Sequence, residues 1–230
     1  MRKGSFFLTL FLIFALVGTA YSGAFEDGLA TYERGDYEEA LRLWRPLAEQ
    51  GDVKAQFNLG IMYLWGEGVP KNFEEAARWF LKAAEQGSAP AQYNLGVMYD
   101  KGNGVPKNFE EAARWFLKAA EQGFAVAQFS LARAYGLGKG LPEDPVEGKK
   151  WLRKAAEQGY AEAQFGLAIL YSTGDGVLQS DSAAVDWYYK AGISSLLHGN
   201  RELALTAYDQ INEISPGHFL GEKLREALYP

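Results

Sequence analysis

Side chains able to do chemistry are few in this 230-residue chain, and their spacing argues for packing roles. Cysteine is absent, which excludes disulfides, thiolate zinc sites and a Cys nucleophile. His198 and His218 are the whole histidine content, too little for a His-rich metal centre. Both fall in the C-terminal segment, where a loop or surface position suits them. Glu74 with Glu75, and Glu110 with Glu111, are carboxylate pairs of the kind that do acid–base work. Each pair stands at a helix start, where capping and the helix dipole account for it. Gly136 to Gly140 reads GLGKG, superficially a phosphate loop, yet it lies in register with turns found elsewhere in the chain. Nowhere does the sequence contain Ser-x-x-Lys, His-Glu-x-x-His, Gly-x-Ser-x-Gly or Gly-x4-Gly-Lys-Ser/Thr. The expectation is a protein without catalytic residues, cofactor or metal.

Composition narrows the class. Hydrophobic residues are 48% and charged residues 23%, as in a globular chain. The net charge of −6 disfavours nucleic acid and anionic membrane surfaces as partners. Arg2 and Lys3 precede an uncharged apolar run from Phe6 to Val17, followed by small residues at Gly18, Ala20, Ser22 and Ala24. This is the layout of a secretory signal over residues 1–22. Cleavage is placed after Ser22, with Ala20 or Ala24 as alternatives. An uncleaved anchor is the rival reading, although the run is short of the ~20 residues that span a bilayer. Losing Arg2 and Lys3 takes the net charge from −6 to −8. An exported chain without Cys suits a bacterial periplasm or medium, with no stable membrane insertion after cleavage.

The elements that would position any site come from an internal repeat. Gly68 to Gly87 (GVPKNFEEAARWFLKAAEQG) recurs letter for letter at Gly104 to Gly123. Units 51–86 and 87–122 agree at 28 of 36 positions, and weaker copies follow at 123–158 and 159–194. Ala55, Ala91, Ala127 and Ala163 align, as do Leu59, Leu95, Leu131 and Leu167. Trp79, Trp115, Trp151 and Trp187 form a ladder whose best place is the interior.

Each unit reads as two helices. Phe73, Ala76, Ala77, Phe80, Leu81 and Ala84 make an apolar stripe at helical spacing. Asn72 with Glu75, Asn108 with Glu111, and Asp144 with Glu147 predict capping boxes. Gly87, Gly123 and Gly159 stand where a left-handed residue ends a helix. The first helix of a unit carries Ala55, Leu59 and Met62 on one face, and Gly60, Gly96, Ala132 and Ala168 mark close helix approach. Such a hairpin cannot bury its apolar faces alone, so the units must stack as an all-α solenoid.

The pattern AQFNLGIMY, then GEGVP, then AARWFLKAAEQG resembles the Sel-one-like repeat, a longer relative of the tetratricopeptide repeat. The resemblance is strong over 51–158 and extends to 194. It implies a right-handed superhelix of helix–turn–helix repeats, with the first helices lining a concave face, and a role in assembling or regulating other proteins. Residues 24–50 look like an N-terminal tetratricopeptide-like helix pair. Residues 185–218 shift to tetratricopeptide-like spacing and share a helix with the preceding repeat. Phe219, Leu220, Leu224 and Leu228 suit a capping helix over 219–230. A cysteine-rich branch of the family is linked to β-lactam binding or hydrolysis, but its paired Cys are missing here.

A partner-binding surface follows from what differs between near-identical units. All eight differences between 51–86 and 87–122 lie in the first seventeen positions. Three fall on one stripe: Lys54, Asn58, Ile61 and Trp65 in the first unit, Pro90, Asn94, Val97 and Lys101 in the second. It continues as Val126, Ser130, Arg133 and Leu137. At 100° per residue the stripe lies about 130° from the core positions, so it should be exposed. Drift after duplication and binding of a protein or peptide are both open readings of the stripe. Trp65 is either a binding anchor or a residue packed under its own turn. Gln56, Gln92, Gln128 and Gln164 recur too regularly for recognition and fit hydrogen bonding between repeats. The expected function is an exported, periplasmic or secreted interaction scaffold, an adaptor or regulator in a bacterial envelope. The alternatives are a secreted host-interaction factor and a β-lactam or cell-wall hydrolase.

Overall fold

The computed structural model describes residues 23–229, so the leader expected at 1–22 lies outside the described residues. Every regular element among the described residues is an α-helix, and there is no strand. The chain divides after Asn108 into two compact units. Unit 1 holds α1 (residues 23–33), α2 (Tyr37–Glu49), α3 (Val53–Trp65), α4 (Phe73–Glu85) and α5 (Ala89–Lys101). Unit 2 holds α6 (Phe109–Glu121), α7 (Ala125–Leu137), α8 (Pro145–Glu157), α9 (Ala161–Thr173), α10 (Asp181–Leu197), α11 (Arg201–Ile214) and α12 (Phe219–Leu228). From α2 to α5 in unit 1, and from α6 to α12 in unit 2, each helix packs on the next.

The packing follows from the repeated residue types. In unit 1, Trp44 and Leu47 of α2 meet Ala55, Leu59 and Met62 of α3, all of them buried. Gly60 lets α4 come close: a Cβ there would lie 2.6 Å from the Phe80 ring. In unit 2, Ala155, Ala163 and Leu167 form one cluster, and Tyr188, Ile211, Leu224 and Leu228 another. Trp79, Trp115 and Trp151 are 9%, 8% and 8% exposed, which places them in the interior as expected. Trp187 is half-buried against both unit 2 clusters. Each indole is covered by the lysine three positions on: Lys82, Lys118, Lys154 and Lys190 hold their ammonium groups 4.0, 4.0, 3.7 and 4.1 Å from the ring centres. Such contacts contribute ~0.5–1 kcal/mol at partly exposed sites.

The recurrent glutamines tie repeats together. Gln56 donates to the Ala48 carbonyl at 3.0 Å and accepts from Gln86 at 2.8 Å. In unit 2, Gln128 donates to Ala120 at 3.1 Å and accepts from Gln158 at 2.7 Å. Gln164 donates to Ala156 at 3.2 Å, but its Oε1 is buried with no partner among the described residues. One repeat on from Gln158, the sequence carries Ser194, whose side chain is too short to supply the missing donor.

Two sequence expectations change at the helix ends. Asn72 caps α4 by accepting from the Glu75 N–H at 3.0 Å, and Asp144 caps α8 by accepting from Glu147 at 3.0 Å. The return half of the box does not form there. The Asn72 N–H already donates to the Tyr63 carbonyl at 2.9 Å, and that of Asp144 to Tyr135 at 3.0 Å. Glu75 turns to Arg78 at 2.5 Å instead, and Glu147 to Lys150 at 2.8 Å. On α12, Leu224 and Leu228 are buried, whereas Phe219 is 61% exposed and does not join the covering face. Phe219 is the first residue of α12 and lies against the cap residue His218, ring centres 4.8 Å apart and the planes tilted by 34°.

Candidate functional site

The stripe on α3 meets α1 in unit 1. Asn58 and Ile61 line a niche of about 150 Å³ whose other walls are Leu29 and Tyr32 of α1, Trp44 of α2 and Phe57. Local chemistry holds these walls. The Trp44 indole N–H donates to the Phe25 carbonyl at 3.1 Å, and the Phe25 ring stacks on it. The Lys54 ammonium lies 5.4 Å from the Phe25 ring, at one end of the stripe. The Tyr32 hydroxyl donates to Glu67 Oε2 at 2.5 Å, tying α1 to the turn after α3. Burial, then this bond, raises the Tyr32 phenol above its ordinary value, so it stays protonated. Asn58 makes no hydrogen bond with its carboxamide among the described residues. Trp65 is 64% exposed at the other end, so it does not pack under its own turn. The arrangement offers an apolar notch, an available amide and a projecting indole.

The expectation of a fully exposed stripe needs correction. Asn58, Ile61, Asn94, Val97 and Ser130 are half-buried, while Lys54, Trp65, Lys101 and Arg133 are exposed. For Asn58 and Ile61 the cause is α1, which shades the middle of α3 and leaves its ends open. Asn94 also differs from Asn58 in being satisfied within its own helix, donating to the Pro90 carbonyl at 3.0 Å. In unit 2, Ser130 donates to Val126 at 2.9 Å, and Leu137 takes the position of Trp65 with 67% exposure.

Leu29 and Tyr32 were not legible as site residues, because α1 lies outside the 36-residue register. The connection 34–36 is shorter than the connection 66–72 by four residues. Aligned at that shorter spacing, Gly28 falls where Gly60 does, and a Cβ on it would overlap the Trp44 indole as one on Gly60 crowds Phe80. The small residue facing a large ring was the signal.

The remaining candidates hold structural posts. Glu75 and Glu111 sit in the first turns of α4 and α6, each on an arginine at 2.5 Å. Within GLGKG, Gly136 and Leu137 end α7, and Gly138 is its left-handed cap. His198 ends α10 with Nδ1 2.7 Å from the Ser194 carbonyl, and His218 caps α12 by accepting from the Leu220 N–H at 3.2 Å. Among the described residues, no group of three or more His, Asp or Glu is placed to hold a metal ion, and no helix is long and apolar enough to cross a membrane.

A model of the Sel1 repeat matches residues 19–52, 53–88, 89–124, 125–160 and 161–193. No curated protein matches. Among solved structures, a protective antigen of uropathogenic Escherichia coli with an SLR fold is 35% identical, with a TM-score of 0.77 over 90% of this chain and 45% of the antigen. The chain therefore spans less than half that antigen's length. A Sel1 repeat protein from Oxalobacter formigenes is 29% identical, with a TM-score of 0.70 over 90% of this chain and 97% of that one. An immunity protein from Pseudomonas aeruginosa shares the fold at 20% identity, with a TM-score of 0.57 over 87% and 80% of the two chains. The fold class is the all-α solenoid of helix–turn–helix repeats.

Proposed function

Because the chain belongs to the Sel1 repeat family, a protein-interaction fold, we propose that it is a non-enzymatic scaffold holding a protein or peptide against the first helices of its repeats. The observation that carries this is the niche in unit 1. Asn58 brings to an apolar notch a carboxamide that makes no hydrogen bond among the described residues, and Trp65, at the end of the same stripe, is left 64% exposed. An extended peptide would place an aliphatic side chain among Leu29, Phe57 and Ile61, bond its backbone to Asn58 and lie against Trp65. Exposed aromatic anchors of this kind are the usual centres of binding energy. The pattern of residues 1–22 supports export, and with it a role as adaptor or regulator in a bacterial envelope.

A pull-down from envelope extract, comparing wild type with the Asn58→Ala, Ile61→Ala, Trp65→Ala variant, tests the surface. Loss of a hot-spot anchor is worth about 2 kcal/mol, roughly thirtyfold in affinity. The variant should melt as a cooperative helical protein and lose the captured partner. Retention of every partner by a folded variant refutes the surface. N-terminal sequencing of the mature protein tests export: the expected first residue is Gly23, and an intact Met1 refutes cleavage.

A further inference from the structure

Unit 2 contains a larger cleft, of about 460 Å³, between α8, α9 and the turn that follows α9. Lys149, Lys150 and Arg153 stand on one wall, and Val146, Leu170 and Val177 supply apolar surface. Val146 is 66% exposed, and Leu178, next to Val177, is 89% exposed. The two exact copies of this helix carry other residues there. Glu74 and Glu110 correspond to Val146, Ala77 and Ala113 to Lys149, and Leu81 and Leu117 to Arg153. Pro70 and Pro106 correspond to Leu178. Helix α4 has two cations against three carboxylates; α8 has four cations against two carboxylates. The helix thus goes from −1 to +2 in a chain whose net charge is −6.

The cations are incompletely neutralised. Lys149 crosses the cleft to Asp175 at 2.7 Å, and Lys150 pairs with Glu147 at 2.8 Å. Lys154 lies on the Trp151 ring at 3.7 Å. Arg153 reaches only the neutral Tyr171 hydroxyl, at 3.4 Å, and has no carboxylate partner among the described residues. An arginine at this position has a structural use, since Arg45 bonds Tyr63 at 3.0 Å in unit 1. There Glu38 and Leu41 take the places of Val146 and Lys149, so the combination, rather than the arginine, is peculiar to this cleft.

We propose that this cleft docks an acidic protein segment, with an apolar side chain against Val146, Leu170 and Val177 and carboxylates on Lys149 and Arg153. The charge chooses an anion, and the apolar wall asks for a side chain between the anionic groups. A polyphosphate backbone fits poorly, because it has no apolar group to set against Val146, Leu170 and Val177. A bilayer is too flat to reach Leu170 and Val177 inside a cleft. This site is separate from the niche of unit 1 and does not depend on it.

The test uses the full chain and three labelled peptides of equal length in fluorescence polarisation. One alternates Glu with Leu, one replaces each Glu by Lys, and one replaces each Leu by Ser. The Glu–Leu peptide should bind at least about tenfold more tightly than the other two, and added salt should weaken it. A Val146→Glu, Lys149→Ala, Arg153→Leu variant restores the residues of α4 and α6, which already fold in this setting. It should keep its melting temperature and lose the Glu–Leu peptide about tenfold or more. Equal binding of the three peptides, or undiminished binding by the folded variant, overturns the proposal. So does binding to phosphatidylglycerol vesicles with no preference among the peptides, which assigns the cleft to lipid.

Discussion

Replacing Ser194 by Gln should stabilise unit 2, and the size of the gain follows from one orphaned atom. Gln56 and Gln128 each accept a hydrogen bond from a glutamine thirty residues on, at 2.8 and 2.7 Å. Gln164 has no such donor, because Ser194 stands at the matching position, and its Oε1 is buried without a partner among the described residues. A buried acceptor left unsatisfied costs ~1–3 kcal/mol. Ordering a new glutamine side chain opposes the gain by up to ~1.5–2 kcal/mol. The neighbouring residue Ser195 lines a cleft of about 330 Å³ together with Gly159 and Tyr160. The net expectation is about 1 kcal/mol of stabilisation, a rise of roughly 2–4 °C in Tm for a chain of this size. Thermal unfolding followed by circular dichroism reads it. The decisive control is the same substitution on a Gln164→Leu background, where no acceptor remains and the gain should vanish. A gain that persists there, or no gain in the wild-type background, would refute the reasoning.

Two further outcomes are expected. Gly68→Ala should cost more than Gly87→Ala in urea unfolding, because both glycines have positive φ (67° and 93°) but only at Gly68 would the Cβ meet a neighbour, the Tyr37 carbonyl oxygen at 2.6 Å. The left-handed backbone accounts for ~1–2 kcal/mol at each site, and displacing the crowded carbonyl adds ~1–3 kcal/mol at Gly68; equal losses would show that the approach is soft. The raised Tyr32 phenol gives a pH signature: the folded chain keeps a proton that the unfolded chain releases near pH 10, so this contribution is complete below pH 10 and declines as pH rises above it. Tyr32→Phe should therefore flatten the loss of stability in alkali, measured as Tm from pH 9 upward, and parallel profiles for the two proteins would count against the bond to Glu67.

What the residues alone determined was the local part of the architecture. A 36-residue period, an asparagine before each FEEAARWFLKAAEQ and a glycine after it state where helices start and stop. Those choices depend on neighbours within a turn or two. The buried indoles and the glutamine links were also legible, because identical residues at fixed spacing must meet identical surroundings in a stack. Tertiary structure decided the rest. Glu75 pairs with Arg78, because the donor it would have capped is taken by Tyr63, from a different helix. The middle of the α3 stripe is shaded by α1, a helix set by a turn four residues shorter than the one between α3 and α4, so Leu29 and Tyr32 join Asn58 and Ile61 only in three dimensions. The basic cleft of α8 was written in the sequence as four scattered departures from the repeat. They became a site once folding put the turn at 174–180 across from Lys149 and Arg153. Spacing along a helix is a local property, whereas the distance between side chains on different helices exists only after packing.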